Sequence, residues 1–323
     1  SASSMNFPET SGVNEISVIF HVVYNPNNPA ENVSNATIMA LFQELQEDYL
    51  LLNADAANAR TGLGFIPANC NINFCLATQD ENGVPLAEVG VVRVSTTEDY
   101  YDKNGGEENK MKASATGGSD IWDRNKYMNI WICDITHGAN SAVAGYAYRP
   151  TPTMLPSPSI DGIVIDYNLG LGGNVLTHEV GHYLGLDHPW GGSGSCGNDD
   201  GFTDTPVTEG PSNQPTTNDY QNSCSGSQQT CAGTETQYEN YMDYANCTVM
   251  FTTEQANYMV SILQGVRGSL LLSPGCDPTN TPPNSAFASL PSGPSPVIIP
   301  QNASVSFFDQ STNVPTGWTW TIS

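Results

Sequence analysis

Residues 178–188 read His178-Glu179-Val180-Gly181-His182-Tyr183-Leu184-Gly185-Leu186-Asp187-His188. The pattern is H-E-x-x-H-x-x-G-x-x-H. On a helix, His178 and His182 are four apart, so both imidazoles leave one face. Glu179 then stands beside the first ligand, placed for general-base work. Gly185 can take the positive φ that breaks the chain out of the helix. The turn would bring His188 round as a third nitrogen ligand. Three neutral imidazoles with an open fourth position describe a catalytic zinc site, whereas a structural site is closed. Three of the five histidines in the chain fall within this stretch. A helix carrying two histidines by accident does not account for five specified positions at fixed spacing.

Outward from the motif, apolar patterning predicts alternating strands and helices. Residues 16–24 are β-branched and aromatic, which predicts a buried strand. Residues 35–52 place Ile38, Leu41, Phe42, Leu45, Tyr49 and Leu52 at helical spacing, with Ser34 or Asn35 as cap. Further strands are expected at 72–77, 91–94, 127–135 and 163–167. A short Gly-containing strand at 142–148 is expected at an edge. The motif helix is expected over about residues 174–185. This alternation implies a mixed α/β layer. Residues 189–240 are rich in Gly, Ser, Asn, Asp, Thr and Pro, and a loop of this length needs staples or metals. Another helix starts at Thr252 or Thr253 and ends near Gly265 or Gly268. Residues 270–300 read as a linker with one strand at most.

Charge excludes some partners. Of 323 residues, 33 are acidic and 9 are Lys or Arg, for a net charge of −24. Such a chain repels nucleic acid and anionic membranes. No apolar run approaches the length of a membrane span. The eight cysteines contain no C-x-x-C pair, and their even number favours disulfides in an oxidising compartment. Residues 1–12 are polar and read as a processed start, with an export signal and any pro-segment upstream.

Asn240-Tyr241-Met242-Asp243-Tyr244 supplies a second signature. With it the chain resembles the metzincins, zinc endopeptidases whose third histidine is followed by a methionine-bearing turn, and within them the pappalysin family. The resemblance spans roughly residues 13–275. Its most specific pieces are the 178–188 motif, Asp204-Thr205-Pro206, the 240–244 turn and Phe251-Thr252-x-x-Gln255. Residues 19–24 and Gly145-Tyr146-Ala147-Tyr148 are similar but weaker pieces. It implies that His178, His182 and His188 bind zinc, and that Glu179 is the general base and then the acid. It further implies that Met242 floors the metal and Tyr244 supports the oxyanion. Each role also suits the residue: methionine fills irregular space, and a phenol offers one donor to a developing charge. Asp200, Thr203 and Thr205 match positions at which relatives bind calcium, and oxygen ligands suit that hard cation. Cys196 would pair with Cys231, and Cys224 with Cys247. Cys70, Cys75, Cys133 and Cys276 have no assigned pairing; Cys75 with Cys133 requires neighbouring strands. Gly145, Tyr146 and Ala147 would receive substrate by strand addition. In one respect the chain departs from the family. Members that cut before arginine carry an acid after the turn tyrosine, but here Ala245-Asn246-Cys247 follows. His21 and His137 lie outside the motif and read as core or surface residues.

Phe287, Val305-Ser306-Phe307, Asp309, Ser311, Pro315-Thr316-Gly317 and Trp318-Thr319-Trp320 resemble the opening of a PKD-type sandwich. The expected fold is therefore an α/β (α+β) metzincin-type catalytic domain. It has a mixed twisted sheet, a long active-site helix, an irregular disulfide-stapled C-terminal subdomain and a partial β-sandwich piece. The expected domains are 1–275, divided into an upper part at about 13–188 and a lower part at 189–275. A linker at 276–285 and a PKD-like piece at 286–323 follow. The expected function is a secreted bacterial zinc endopeptidase acting on proteins or peptides. Two rivals are a processing protease for one partner and a silent binding module. Retained Glu179 argues against the silent module.

Overall fold

The computed structural model describes residues 14–136, 143–192, 196–212, 224, 231 and 235–277, and the backbone of 287–290 and 306–309. Strand β1 (Asn14–Tyr24) is central to the main sheet. On one side its first half pairs with β2 (Ile72–Leu76) and its second half with β3 (Val91–Ser95), both parallel. On the other side lies β4 (Met128–Cys133), followed by β6 (Ile163–Asp166), also parallel. The antiparallel β5 (Gly145–Ala147) pairs with β6 and forms the end of the sheet.

Parallel strands buried on both faces read as continuous apolar runs, and β4 is buried at every position. Ile130 and Ile132 face one cluster with Phe20 and Val22, while Trp131 and Cys133 face the other with Val164 and Tyr146. Helix α1 (Asn35–Tyr49) covers the first face through Ile38, Leu41, Leu45 and Tyr49. Ser34 caps it by accepting from the Thr37 N–H at 3.2 Å. Helix α2 (Val175–Tyr183) and helix α3 (Thr253–Gln264) complete that layer. At the start of α3, Thr252 and Gln255 form a reciprocal capping box.

Three expectations need correction. The active-site helix is nine residues long, not long, because Gly185 turns the chain at φ +96°. Cys75 does not pair with Cys133, since β1 lies between their strands; Cys75 bonds Cys276. Disulfides do not take all eight cysteines: Cys70 and Cys133 are buried thiols. Bridges Cys196–Cys231 and Cys224–Cys247 are present. His21 is a core residue, stacked on Trp131 and bonded to Ser119 and Asn129. His137 lies outside the described residues. So do most of the residues with PKD-like character, including Trp318 and Trp320; β7 (Phe287–Leu290) and β8 (Ser306–Asp309) pair antiparallel. No helix among the described residues is long and apolar enough to cross a membrane.

Candidate metal centre

β6 delivers the chain to a turn organised by Asp166, whose Oδ1 accepts the N–H groups of Asn168 and Leu169. Asn174 precedes α2 with φ 62°, and its amide donates to the Thr248 carbonyl at 2.8 Å. The start of the motif helix is thus tied to the segment after the methionine turn. At the far end, buried Arg267 donates to the Tyr183 carbonyl at 2.8 Å and pairs with Asp161.

His178 and His182 project from one face of α2, their ring centroids 4.7 Å apart. The turn at Gly185 returns His188, whose Nε2 lies 3.0 Å from that of His182 and 3.3 Å from that of His178. His178 Nδ1 meets the Tyr241 carbonyl at 2.7 Å, and His182 Nδ1 meets the Leu186 carbonyl at 2.8 Å. A carbonyl only accepts, so each of these Nδ1 atoms carries its proton and each Nε2 presents a lone pair. Burial, then the neighbouring imidazoles, push His178 and His182 down to about 3 and His188 to about 2. Neutral rings with converging lone pairs repel unless a cation joins them, so this donor set fits zinc.

Glu179 is 6% exposed, and its Oε2 has no hydrogen-bond partner among the described residues. Burial pushes it up to about 8, opposed by Lys103 and the Ala147 N–H. Gly145 leaves room for it: a Cβ there would stand 3.1 Å from Glu179 Cγ. Met242 is fully buried, and a Cβ on Gly181 would meet its Sδ at 2.5 Å. The second unspecified position of the motif, Gly181, is therefore small for a reason. The Tyr244 ring lies 5.5 Å from His178 and 4.9 Å from His188, and the residue is 45% exposed.

Of these groups, Gly145, His178, Glu179 and Tyr244 line one cleft of about 710 Å³. Lys103 enters it but forms no ion pair among the described residues; its Nζ sits 4.5 Å from the Tyr146 ring centroid. Ala245, Asn246 and Thr248 form part of the wall. Asp243 also borders the cleft, but its carboxylate accepts from Ser212 N, Ser212 Oγ and Ala245 N. β5 supplies Gly145 to the rim, whereas the Tyr146 side chain is buried in the upper core.

The other acids serve elsewhere. Asp204 bonds Thr252 and the Glu254 N–H at the start of α3. Asp200 Oδ1 accepts from Thr205 Oγ1 at 2.6 Å, while its buried Oδ2 has no partner among the described residues. Burial pushes Asp200 up to about 7. Thr203 bonds Glu254 instead. Sequence reasoning missed Trp190, stacked on His188 at 4.5 Å, as well as Lys103 and the carbonyl of Tyr241. Only the adjacency of Trp190 to the motif offered a signal.

A mixed sheet above a three-histidine centre with one glutamate defines a metzincin-like metalloprotease. The peptidase M43 family, described as pregnancy-associated plasma protein-A, matches residues 113–264. Mature mirolysin of Tannerella forsythia, solved with a cleaved peptide, superposes with a TM-score of 0.69 at 32% identity. The match covers 84% of this chain and 100% of that one. An extracellular metalloprotease of Colletotrichum graminicola is 36% identical over 143 residues, 39% of this chain and 47% of the relative. One of Arthroderma otae is 37% identical over 109 residues, 33% of this chain and 36% of the relative. The chain spans about half the length, or less, of these curated relatives. It belongs to the pappalysin-type metalloprotease family. The family implies zinc. The relatives named extracellular, together with the disulfides, fit an extracellular setting. They are fungal and do not support the bacterial assignment. The PKD-like assignment of residues 286–323 is not supported either.

Proposed function

We propose that this chain is a secreted zinc-dependent endopeptidase that hydrolyses peptide bonds in proteins. The observation that carries the reading is the convergence of three Nε2 atoms beside a buried glutamate oxygen that has no partner among the described residues. His178, His182 and His188 would hold the metal. When bound, zinc supplies Lewis-acid polarisation of the scissile carbonyl and acidifies the attacking water. Glu179 takes the water proton and later delivers it to the leaving amine. Tyr244 donates to the oxygen on which charge builds. Met242 packs under the centre against Gly181 and fixes its floor. The substrate lies extended along β5 at Gly145, Tyr146 and Ala147, adding a strand to the sheet end.

Calcium below the helix is part of the same proposal. The orphaned Asp200 Oδ2, with Thr205 beside it, suits a hard cation, whereas Thr203 is engaged by Glu254. Residues 1–275 would form the catalytic domain and 286–323 a separate piece. An upstream pro-segment is consistent with the solved promirolysin, which is 31% identical.

The wall after the turn favours a non-basic residue immediately after the cut. A buried cation needs a paired anion, and the Asp243 carboxylate is already committed. Cleavage of a peptide library with and without chelator tests the reading. Chelation should abolish cleavage and zinc restore it, with a profile not dominated by Arg or Lys after the cut. Cleavage that survives chelation would refute the enzyme assignment, and an Arg- or Lys-dominated profile the specificity. A single cleaved sequence would favour the processing protease, and none at all the silent module.

A further inference from the structure

Helix α1 lies far upstream of the motif and outside the residues matched by the family. Yet its last turn reaches the metal centre. Asp48 is 4% exposed, and both of its carboxylate oxygens are used. Oδ2 accepts from Thr177 Oγ1 at 2.6 Å, and Oδ1 accepts from the Tyr241 hydroxyl at 2.6 Å. Thr177 is the residue before His178. Tyr241 is the residue whose carbonyl receives the His178 Nδ1–H. One carboxylate therefore holds the two segments that set the orientation of His178.

Neighbouring groups extend the clamp. The Tyr49 hydroxyl donates to the Thr177 carbonyl at 3.3 Å. The Asn53 amide donates to the Tyr241 hydroxyl at 3.0 Å and to the Val249 carbonyl at 2.9 Å. Tyr49, Tyr241 and Phe251 also pack ring to ring. Apolar packing alone could join α1 to these segments, and burying a carboxylate is costly. The cost falls on Asp48 itself, which burial pushes up to about 6. What the carboxylate adds is direction: two short, charge-assisted bonds admit one placement of each donor.

We infer that Asp48 is a positioning residue for the metal centre. It locks the Thr177 turn to the Tyr241 segment so that the Tyr241 carbonyl orients the His178 imidazole. The inference rests on the zinc reading above. Partners that orient ligating histidines typically contribute 10–100-fold in metal affinity.

The test is zinc affinity by chelator competition on the full folded chain, well below its melting temperature. Visible spectra of the cobalt-substituted protein accompany it. Asp48→Asn should bind zinc about 10–100-fold more weakly and shift the cobalt spectrum. Tyr241→Phe keeps the carbonyl and loses one of the two bonds, so it should lose affinity several-fold. The double variant should be little worse than Asp48→Asn alone, because the two share one interaction. A merely structural Asp48 would lower the denaturation midpoint and leave affinity and spectrum unchanged; that result overturns the inference. If Asp48→Asn does not fold, unchanged zinc affinity in Tyr241→Phe overturns it equally. Failure of the wild-type chain to bind zinc would instead overturn the reading beneath it.

Discussion

Residues 14–188 hold the upper wall of the cleft with a buried sheet, whereas the described residues of 189–250 form no helix or named strand. The first region relies on apolar area: β1 and β4 are buried almost throughout. The second relies on Cys196–Cys231, Cys224–Cys247 and polar bonds such as Asp243 to Ser212. Both meet at His178, which α2 carries and the Tyr241 carbonyl orients. A metal centre can thus be half core and half stapled loop, and the two halves should fail differently.

Tyr244→Phe tests the stapled half most sharply. In the proposed role the phenol matters only when charge builds on the substrate oxygen, so kcat should fall about 10–1,000-fold with KM nearly unchanged. Steady-state kinetics on a cleaved peptide decide it. Met242→Leu should do far less, costing under about 1.5 kcal/mol as a volume-conserving swap. A harmless Tyr244→Phe beside an inactive Met242→Leu would exchange the two roles.

Reduction separates the halves next. The bridges 196–231 and 224–247 join cysteines 35 and 23 residues apart, and each should contribute about 2–4 kcal/mol. Hydrogen exchange after mild reduction should release residues 235–250 before β1 and β4. Simultaneous release would show that the sheet depends on the bridges as much as the loop does.

Acid should act in opposite senses on one buried group from each half, His21 and Asp243. His21 in the sheet is lowered from 6.5 to about 4 by burial, so folding favours its neutral form. Its stabilising contribution is complete above pH 6.5 and lost as pH falls toward 4, about 3 kcal/mol in all. Asp243 in the loop is raised from 3.8 to about 6 by burial. Its contribution is present below pH 3.8 and lost as pH rises through 6. Urea midpoints from pH 7 to 4 should fall less steeply for His21→Gln than for the wild type. Equal slopes would remove His21 as an acid-sensitive group.

The difference between the halves also explains what could be read from sequence. Spacing 178–188 is local, so a helix and one glycine turn suffice to bring three nitrogens together. The α3 start is equally local, since Thr252 and Gln255 cap each other within one turn. Strand order is not local. Nothing in residues 72–77 says that β1 separates them from β4, so the Cys75–Cys133 option was open and wrong. The polar clamp was invisible for the same reason: Asp48 lies on an amphipathic helix, where an acid reads as solvated. Lys103 and Trp190 acquire meaning only once the cleft exists.

The most direct measurement pairs zinc content with turnover in Glu179→Ala. In the proposed mechanism this carboxylate is a base and not a ligand, so the variant should retain zinc in the wild-type ratio. Its peptide hydrolysis should fall by about two or more orders of magnitude. Wild-type cleavage by zinc-loaded Glu179→Ala would contradict the central claim.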